Sequence, residues 1–371
     1  MTTTEATATC PKHMTHGPCG GVGFDGSCEI DAELACPFVP LETVRWRGFN
    51  GEQRVGVTGG GAAAPGADAA AGPHRGPAHS GSARMRALIS ARRIVVADFP
   101  ARALDAASIR ECASALAGSV DAVLSGDSGQ DRVQFSPTYR ARLILDAGVM
   151  PWNGMNCRDR NRVALEGELA GLADVGTGGV HCVTGDHTQT GSRPDAMPVF
   201  DLDSTELAAL ARAAGHLVSV GESPTTPPVE KRAARLLEKE RAGAELCFVN
   251  HCGGAEPVAE FVAAARALGS QVGFIPCIPI VLDEGSATLL RSFTTLVLPP
   301  GYLDGILAAP DAREAGIEAA VSLSMAMLQI DGVVGVNLSG GAAPGFELAY
   351  ARDVAEIGRR LASALPHPEA S

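Results

Sequence analysis

The chain has 371 residues, enough for one barrel of about 250 residues and a further small module. Hydrophobic residues form 46% of it but aromatic residues only 4%, so an aliphatic core of helices layered on a sheet is expected. The net charge of -12 disfavours broad nucleic-acid binding, because neutralising phosphates needs clustered Lys and Arg. The sequence contains neither an apolar run of about 18 residues nor a signal segment, so we expect a cytoplasmic protein that acts on small molecules and binds no membrane.

Four cysteines lie close together at the start of the chain: Cys10, Cys19, Cys28 and Cys36. Structural disulfides are rare in a reducing cytoplasm, whereas four thiols suit a tetrahedral zinc ion. The spacing is not the paired CxxC of common zinc ribbons, and an iron–sulfur cluster is the alternative. The sequence therefore predicts a small Cys-rich, metal-binding module over residues 1–50.

The next segment, residues 51–84, consists mainly of Gly, Ala, Pro and Ser. Such a composition offers too little apolar surface to offset the entropy of ordering the chain. We therefore predict a flexible linker over 51–84, followed by one domain over 85–371.

Strand-like and helix-like segments alternate regularly after the linker. Eight segments have strand character: 93–100, 121–126, 150–157, 178–186, 217–223, 245–252, 272–281 and 333–341. The helices between them carry apolar residues at helical spacing, as at Leu165, Leu169 and Leu172. The alternation fits a barrel or an open doubly wound sheet, but the first strand lacks a following GxGxxG and the chain has no GxxxxGK loop. The prediction is an α/β protein with a (β/α)8 TIM barrel.

In such a barrel the chemistry lies where strands end and loops begin. Polar residues occur at these positions in the predicted strands, among them Asp98, Ser125, Asp186, Asn250 and His251. We expect these side chains to gather around one pocket at the carboxyl ends of the strands.

Several motifs resemble the flavin-dependent methylenetetrahydrofolate reductases. The third strand leads into NCRDRNRVALEGELAGLADVG, and the fourth strand ends in VTGD. The segment PVFDLDS then leads into the next helix, and Lys239 precedes Ala242. These motifs follow one another in the order of that family. At the start of the chain, CPKHMTHGPCGG and DGSCE resemble the cysteine-rich domain found beside these reductases or as their partner subunit.

This resemblance implies an oxidoreductase of one-carbon metabolism that reduces 5,10-methylenetetrahydrofolate to 5-methyltetrahydrofolate. NAD(P)H, either NADH or NADPH, would supply the electrons, and FAD would be the intermediary. The resemblance further implies a homo-oligomer, and a module that docks onto the barrel or receives a redox or corrinoid protein partner.

The resemblance also implies a catalytic acid near the end of the first strand. An ungapped comparison places Ala97 at that position, and a one-residue deletion places Asp98 there. Adjacent strand residues point to opposite faces, so the two registers are mutually exclusive. We take Asp98 as the general acid, with helix capping as its alternative role, and Asp186 as a second catalytic carboxylate near flavin and pterin.

Further residues match cofactor and substrate positions of the family. The cofactor-binding residues implied by the resemblance are Ser125, Arg158, Asp159, Thr184, Phe200 and Lys239. Lys239 would contact the flavin phosphate or else be an exposed helix lysine, and Arg158 with Asp159 would contact the cofactor or form a loop-shaping ion pair. Asn250 and His251 would bind the folate.

The sequence departs from the family at several flavin-contacting or folate-contacting positions. Gly154 replaces a polar side chain, Thr184 an Arg, Arg232 an acid and Asn250 a Gln. Three alternatives follow: FAD held by different contacts, a reductase that transfers hydride without flavin, or a folate-binding barrel with another role. That role would be methyl transfer or demethylation with a partner protein, or that of a non-catalytic folate-binding subunit.

Overall fold

A computed structural model describes residues 1–49, 76–126, 131–293 and 295–365. Residues 51–75 of the predicted linker lie outside the described residues. No helix among the described residues is long and apolar enough to span a membrane.

Eight parallel strands close into a barrel in which each strand pairs with the next along the chain and the eighth pairs with the first. The strands are β1 (Ile94–Asp98), β2 (Ala122–Ser125), β3 (Pro151–Asn156), β4 (Gly179–Val183), β5 (Val218–Glu222), β6 (Leu246–Val249), β7 (Gly273–Pro279) and β8 (Gly335–Ser339). In the closing pair, Val96 of β1 lies opposite Asn337 of β8. The prediction of a (β/α)8 TIM barrel is confirmed, and every predicted strand is present in its predicted place.

Helices lie before the barrel, between its strands and after the last strand. They are α1 (Thr3–Thr9), α2 (Ser80–Ala91), α3 (Ala106–Leu116), α4 (Pro137–Asp146), α5 (Arg162–Val175), α6 (Ser204–Ala213), α7 (Arg232–Ala242), α8 (Ala255–Ala267), α9 (Glu284–Arg291), α10 (Tyr302–Leu307), α11 (Ala312–Leu328) and α12 (Glu347–Ala364). Local signals define their ends: the Asn161 side chain accepts a hydrogen bond from Ala164 N–H at the start of α5, and Gly176 ends that helix with φ 86°.

The strand residues divide into two apolar layers because successive side chains alternate between the faces of a sheet. One layer lies between strands and helices and includes Val95, Ala97 and the buried leucines of α5. The other lies inside the barrel and includes Ile94, Val96 and Trp152. The barrel interior is therefore packed in its lower part, and its polar residues lie toward the carboxyl ends of the strands.

Helix α2 lies against the amino-terminal end of the barrel. Met85 joins the inner apolar layer, and Arg86 donates hydrogen bonds to Glu245 and to the backbone carbonyl of His216, just before β6 and β5. This helix begins at Ser80, inside the range assigned to the linker from composition. Its ordering depends on contacts with the barrel end, which the local sequence does not reveal.

The first 49 residues form a small module with its own core of Ala6, Cys10, Met14 and Phe38. Two antiparallel bridges, Val22 to Cys28 and Ser27 to Ala35, connect its loops. So small a core gives little stability by itself. Contacts with the barrel, described below, supply the remainder of the module's packing.

Candidate functional site

The direction of Asp98 follows from the alternation along β1. Val96 lies in the apolar layer inside the barrel, whereas Ala97 packs in the outer layer. Asp98 therefore points inward from the carboxyl end of the strand. Of the two registers considered for the catalytic acid, only the one with Asp98 faces the barrel interior.

The Asp98 carboxyl group is held by groups from β8 and the loop after it. The Asn337 amide donates to Oδ1 at 2.9 Å, and the Gly340 N–H donates to Oδ2 at 3.2 Å. Burial raises the pKa of Asp98 above its ordinary value, although hydrogen bonds from Asn337, Ser339 and Gly340 partly oppose the shift. The carboxyl group is thus suited to hold a proton and then to release it.

One polar atom beside Asp98 is available to a ligand. Asn337 Oδ1 is buried and has no hydrogen-bond partner within the described ranges. Ser125 Oγ also lacks such a partner, but Ser125 follows Leu124 of the inner layer and therefore points outward from β2, away from the proposed site. Buried polar atoms in folded proteins nearly always have a partner, so Asn337 Oδ1 is the atom that a ligand would complete.

His251 follows β6 and lies beside Ser339, at the end of β8. Its Nε2 is 3.2 Å from Ser339 Oγ, and burial lowers the pKa of His251 to about 4. The imidazole is therefore neutral at pH 7 and serves as a hydrogen-bonding group rather than as a cation.

Asn250 is exposed at the mouth of the barrel. Its side-chain amide donates to Ser223 Oγ at 2.7 Å, and its backbone N–H donates to the Glu222 carbonyl at 2.9 Å. These bonds fix the amide while leaving its carbonyl oxygen directed away from Ser223 as an acceptor.

Asp186 lies beyond the end of β4 and is 58% exposed. An Arg132 nitrogen lies 3.9 Å from its carboxylate, and Arg158 donates to its backbone carbonyl at 3.3 Å. Asp98, Asp186 and Asn250 thus all belong to the carboxyl-terminal face of the barrel, as expected from the sequence. They make their hydrogen bonds and ion pairs with different neighbours.

Arg158 and Asp159 form an ion pair after β3. Two guanidinium nitrogens donate to the two carboxylate oxygens, each at 2.6 Å, and the Arg158 side chain is fully buried. The structure thus contains the ion pair between Arg158 and Asp159 that was the alternative to a cofactor contact in the sequence analysis.

Thr184 and Phe200 also lie on this side of the mouth and are buried. Thr184 Oγ1 accepts a hydrogen bond from the Ser204 N–H at 3.2 Å. Phe200 stacks on His187 with ring centroids 5.8 Å apart and has φ 42°, an uncommon conformation for a bulky side chain. Both side chains are thus engaged with neighbouring protein groups.

Lys239 is a buried residue of α7, not an exposed helix lysine. Its ammonium lies 2.6 Å from Glu222 Oε1 and donates to the Gly221 carbonyl at 2.6 Å. Burial by itself would raise the pKa of Glu222, but Lys239 and Arg232 hold that pKa below its ordinary value. Because Glu222 points outward from β5, this charged group lies between strand and helix.

The amino-terminal module docks on the barrel through Asp203, which also begins α6. Asp203 Oδ2 accepts hydrogen bonds from the backbone N–H groups of Thr15 and His16 at 3.2 and 2.7 Å. Asp203 Oδ1 accepts from the N–H groups of Thr205 and Glu206. One carboxylate therefore caps a barrel helix and holds the module.

Helix α7 provides a second docking point. Arg232 donates to the Cys19 carbonyl at 3.3 Å, and Lys231 donates to the Leu41 carbonyl at 2.8 Å. The Trp46 N–H donates to a carboxylate oxygen of Glu238. The module therefore covers the ends of α6 and α7 beside the mouth.

Three side chains at this interface have the spacing of possible metal ligands. They are His16, Asp203 and Glu206, whose potential ligand atoms lie within 4.8 Å of one another. The Asp203 oxygens already accept backbone hydrogen bonds, and the Glu206 carboxylate accepts one from the Asp203 N–H at 3.0 Å. The cluster is thus accounted for as a docking network, without an ion.

The four cysteines of the module are free thiols. Cys10 interacts electrostatically with Cys19 and Cys28, and Cys36 interacts with Cys10 and Cys19. Among the described residues, no three cysteine sulfurs lie within 4.8 Å of one another. The four thiol donors are of the type that a tetrahedral zinc ion prefers.

The sequence places Asn337 among the polar residues at the ends of the predicted strands but gives it no specific role, and it does not single out Gly340 or Gly20. Asn337 had a usable signal as a polar residue of the eighth strand. The backbone amide of Gly340 and the position of Gly20 beside Ser223 had none, because both depend on contacts between distant segments.

Residues 2–48 match the family described as methylene-tetrahydrofolate reductase C terminal. No curated protein matches the chain. An uncharacterized protein from Clostridium thermocellum that binds two copies of 5-methyl-5,6,7,8-tetrahydrofolic acid has a similar structure, with a TM-score of 0.56 and 11% identity over 76% of this chain and 99% of that chain. At this identity the likeness shows the fold.

A 2,3-dimethylmalate lyase of the PEP mutase/isocitrate lyase superfamily is a weaker structural match. Its TM-score is 0.42 and its identity 14%, over 78% of this chain and 90% of that chain. This similarity is too low to bear on function.

Proposed function

We propose, from the match of residues 2–48 to the family described as methylene-tetrahydrofolate reductase C terminal, that the chain binds a tetrahydrofolate derivative in the mouth of its barrel. The C. thermocellum protein, which has the same fold and binds 5-methyltetrahydrofolic acid, supports this proposal. The observation that carries it is the inward-facing Asp98, whose carboxyl group is held by Asn337 and has a raised pKa.

The reaction that this site supports best is reduction of 5,10-methylenetetrahydrofolate to 5-methyltetrahydrofolate by NAD(P)H. Protonated Asp98 donates its proton to one nitrogen of the one-carbon bridge, and the bond from that nitrogen to the bridging carbon breaks. The electron pair of the other nitrogen forms an iminium with the same carbon. Hydride from the nicotinamide then converts this carbon to the methyl group and leaves NAD(P)+.

The neighbours of Asp98 act on the charge that develops in this step. When the proton leaves, the Asn337 amide and the Gly340 N–H each donate to an oxygen of the new carboxylate. Asn250 offers its amide oxygen to the pterin, and neutral His251 offers a hydrogen bond. Asp186 provides the carboxylate on the opposite side of the mouth.

FAD fits poorly with the described side chains. Lys239, which the resemblance assigns to the flavin phosphate, is buried against Glu222, and Arg158 is paired with Asp159. Thr184 already accepts a backbone hydrogen bond. We therefore propose direct hydride transfer from the nicotinamide and derive no step through flavin.

Zinc remains a proposal for Cys10, Cys19, Cys28 and Cys36. Its role there would be structural, because four thiolates close the coordination of a tetrahedral ion. No step of the proposed reaction passes through this metal.

A non-catalytic folate-binding subunit is the second candidate, and it is supported by the C. thermocellum protein, which binds two copies of 5-methyl-5,6,7,8-tetrahydrofolic acid. Methyl transfer or demethylation with a corrinoid or redox protein partner would use the same pocket. In either case Asp98 would hold the pterin without transferring a proton.

Purified full-length chain distinguishes these candidates. The reductase proposal expects a chain without flavin absorbance that oxidises NADH or NADPH only when methylenetetrahydrofolate is present, with 5-methyltetrahydrofolate as product. Binding of 5-methyltetrahydrofolate without turnover would replace the reductase by the folate-binding subunit. No binding of either folate would refute both.

A further inference from the structure

We propose that the amino-terminal module forms one wall of the folate site, with Gly20 opposite Ser223 limiting the width of the mouth. This inference rests on the proposed function, since it concerns the ligand of the same pocket. It assigns the module a part in substrate recognition, in addition to any metal that it holds.

The contact between module and barrel lies directly beside a proposed folate-binding residue. A Cβ atom placed on Gly20 would lie 3.7 Å from Ser223 Oγ and would have no other heavy atom within 4 Å. Ser223 Oγ in turn accepts the hydrogen bond from Asn250 Nδ2 at 2.7 Å. Gly20 is exposed, so a larger side chain there would lie beside Ser223 and not in a packed core.

Contacts of the residues that precede Gly20 fix it in this position. Arg232 binds the carbonyl of the preceding Cys19, and Asp203 binds the backbone of Thr15 and His16. Both anchors belong to barrel helices that begin beside the mouth. The module segment therefore has a defined separation from Ser223.

A buried ion pair also fixes the module segment that contains Gly20. Lys12 pairs with Glu29, and both side chains are at most 9% exposed. A Cβ atom on Gly21 would collide with the Glu29 carboxylate, so the Gly21 backbone lies directly against this ion pair. Lys12 also interacts electrostatically with Asp186, which places this pair toward the end of β4. The module thus borders the mouth from Asp186 to Ser223.

The first test replaces Gly20 in the full-length chain and measures the affinity for 5-methyltetrahydrofolate by calorimetry. Gly20→Leu is expected to weaken binding by about tenfold or more, because its side chain would occupy ligand space. Gly20→Ala adds only the Cβ atom, at an ordinary contact distance, and is expected to stay within about twofold of the natural chain.

Ala32→Leu is the matched control, since it adds comparable bulk at an exposed position of the same module. It is expected to leave the affinity unchanged. If Gly20→Leu binds folate as tightly as Ala32→Leu does, the module is not a wall of the site and the inference is wrong.

The second test does not depend on a ligand. Under mild oxidation, the pair Gly20→Cys and Ser223→Cys should form a disulfide in the full-length chain, because these positions lie within the reach of a disulfide. Peptide mapping identifies the bond. Ser223→Cys alone controls for exchange with Cys19, and Ala32→Cys with Ser223→Cys should give no bond.

The two tests separate the inference from the function on which it rests. Absence of the disulfide between positions 20 and 223 overturns the placement of the module. A disulfide in a protein whose natural chain binds no tetrahydrofolate leaves that placement intact and refutes the proposed function instead.

Discussion

The two sides of the barrel mouth use polar residues differently. Beside β1 and β8, Asp98 has a raised pKa and buried Asn337 Oδ1 lacks a partner among the described residues. Beside β3 to β5, the charged side chains of Arg158 and Lys239 are paired with carboxylates of the protein itself. Polar groups without a partner, or with a shifted pKa, indicate a binding or catalytic role, whereas charges paired within the protein indicate a structural role. Residue type alone does not distinguish the two roles.

The largest effect is expected from Asp98→Asn, which removes the proton donor but keeps the size of the side chain. We expect kcat to fall by about 10²- to 10⁴-fold, as is typical for loss of a general acid, while 5-methyltetrahydrofolate binding changes little. Steady-state rates and calorimetry measure the two effects. Asp105→Asn, the same change at the N-cap of α3, is the control. Unchanged turnover in Asp98→Asn would rule out Asp98 as the acid.

On the other side of the mouth, Lys239→Met tests whether Lys239 has a structural role. It leaves the buried Glu222 without its closest cation, so we expect a loss of about 3–5 kcal/mol in the free energy of unfolding, measured with urea. Arg142→Met breaks the exposed pair with Asp146 and should cost less than about 1 kcal/mol.

A contrasting result would restore the role implied by the resemblance. If Lys239→Met retained its stability but lost affinity for added FAD, the lysine would be a phosphate contact after all. The Glu222–Lys239 pair would then have to open when the cofactor binds.

The smallest effect concerns the docking network and its pH dependence. Burial and the neighbouring Asp203 raise the pKa of Glu206 from 4.5 to about 7, so the folded chain binds this proton more tightly than the unfolded chain. The stabilisation is fully present below pH 4.5 and is lost as the pH rises through about 7. Between pH 4.5 and about 7, Glu206→Gln should therefore show a smaller fall in Tm than the natural chain. An identical fall in both proteins would contradict this assignment, and Glu166→Gln on the surface of α5 is the control.

The sequence predicted the eight strands and their order because strand and helix periodicities are local patterns, and a closed barrel is the arrangement that buries them without a dinucleotide-binding loop. It also predicted that Asp98, Asp186 and Asn250 lie on one face, since parallel strands share a carboxyl-terminal end. These inferences required only the direction of the chain and the alternation of side chains.

Only the tertiary structure decided which of these residues have free groups and which are committed. The choice between Ala97 and Asp98 needed the barrel interior to be defined, and the partner of Lys239 became evident only when α7 packed on β5. The proximity of Gly20 to Ser223 joins segments that are far apart in the chain. Such contacts depend on packing between distant parts of the chain, on which local sequence patterns carry no information.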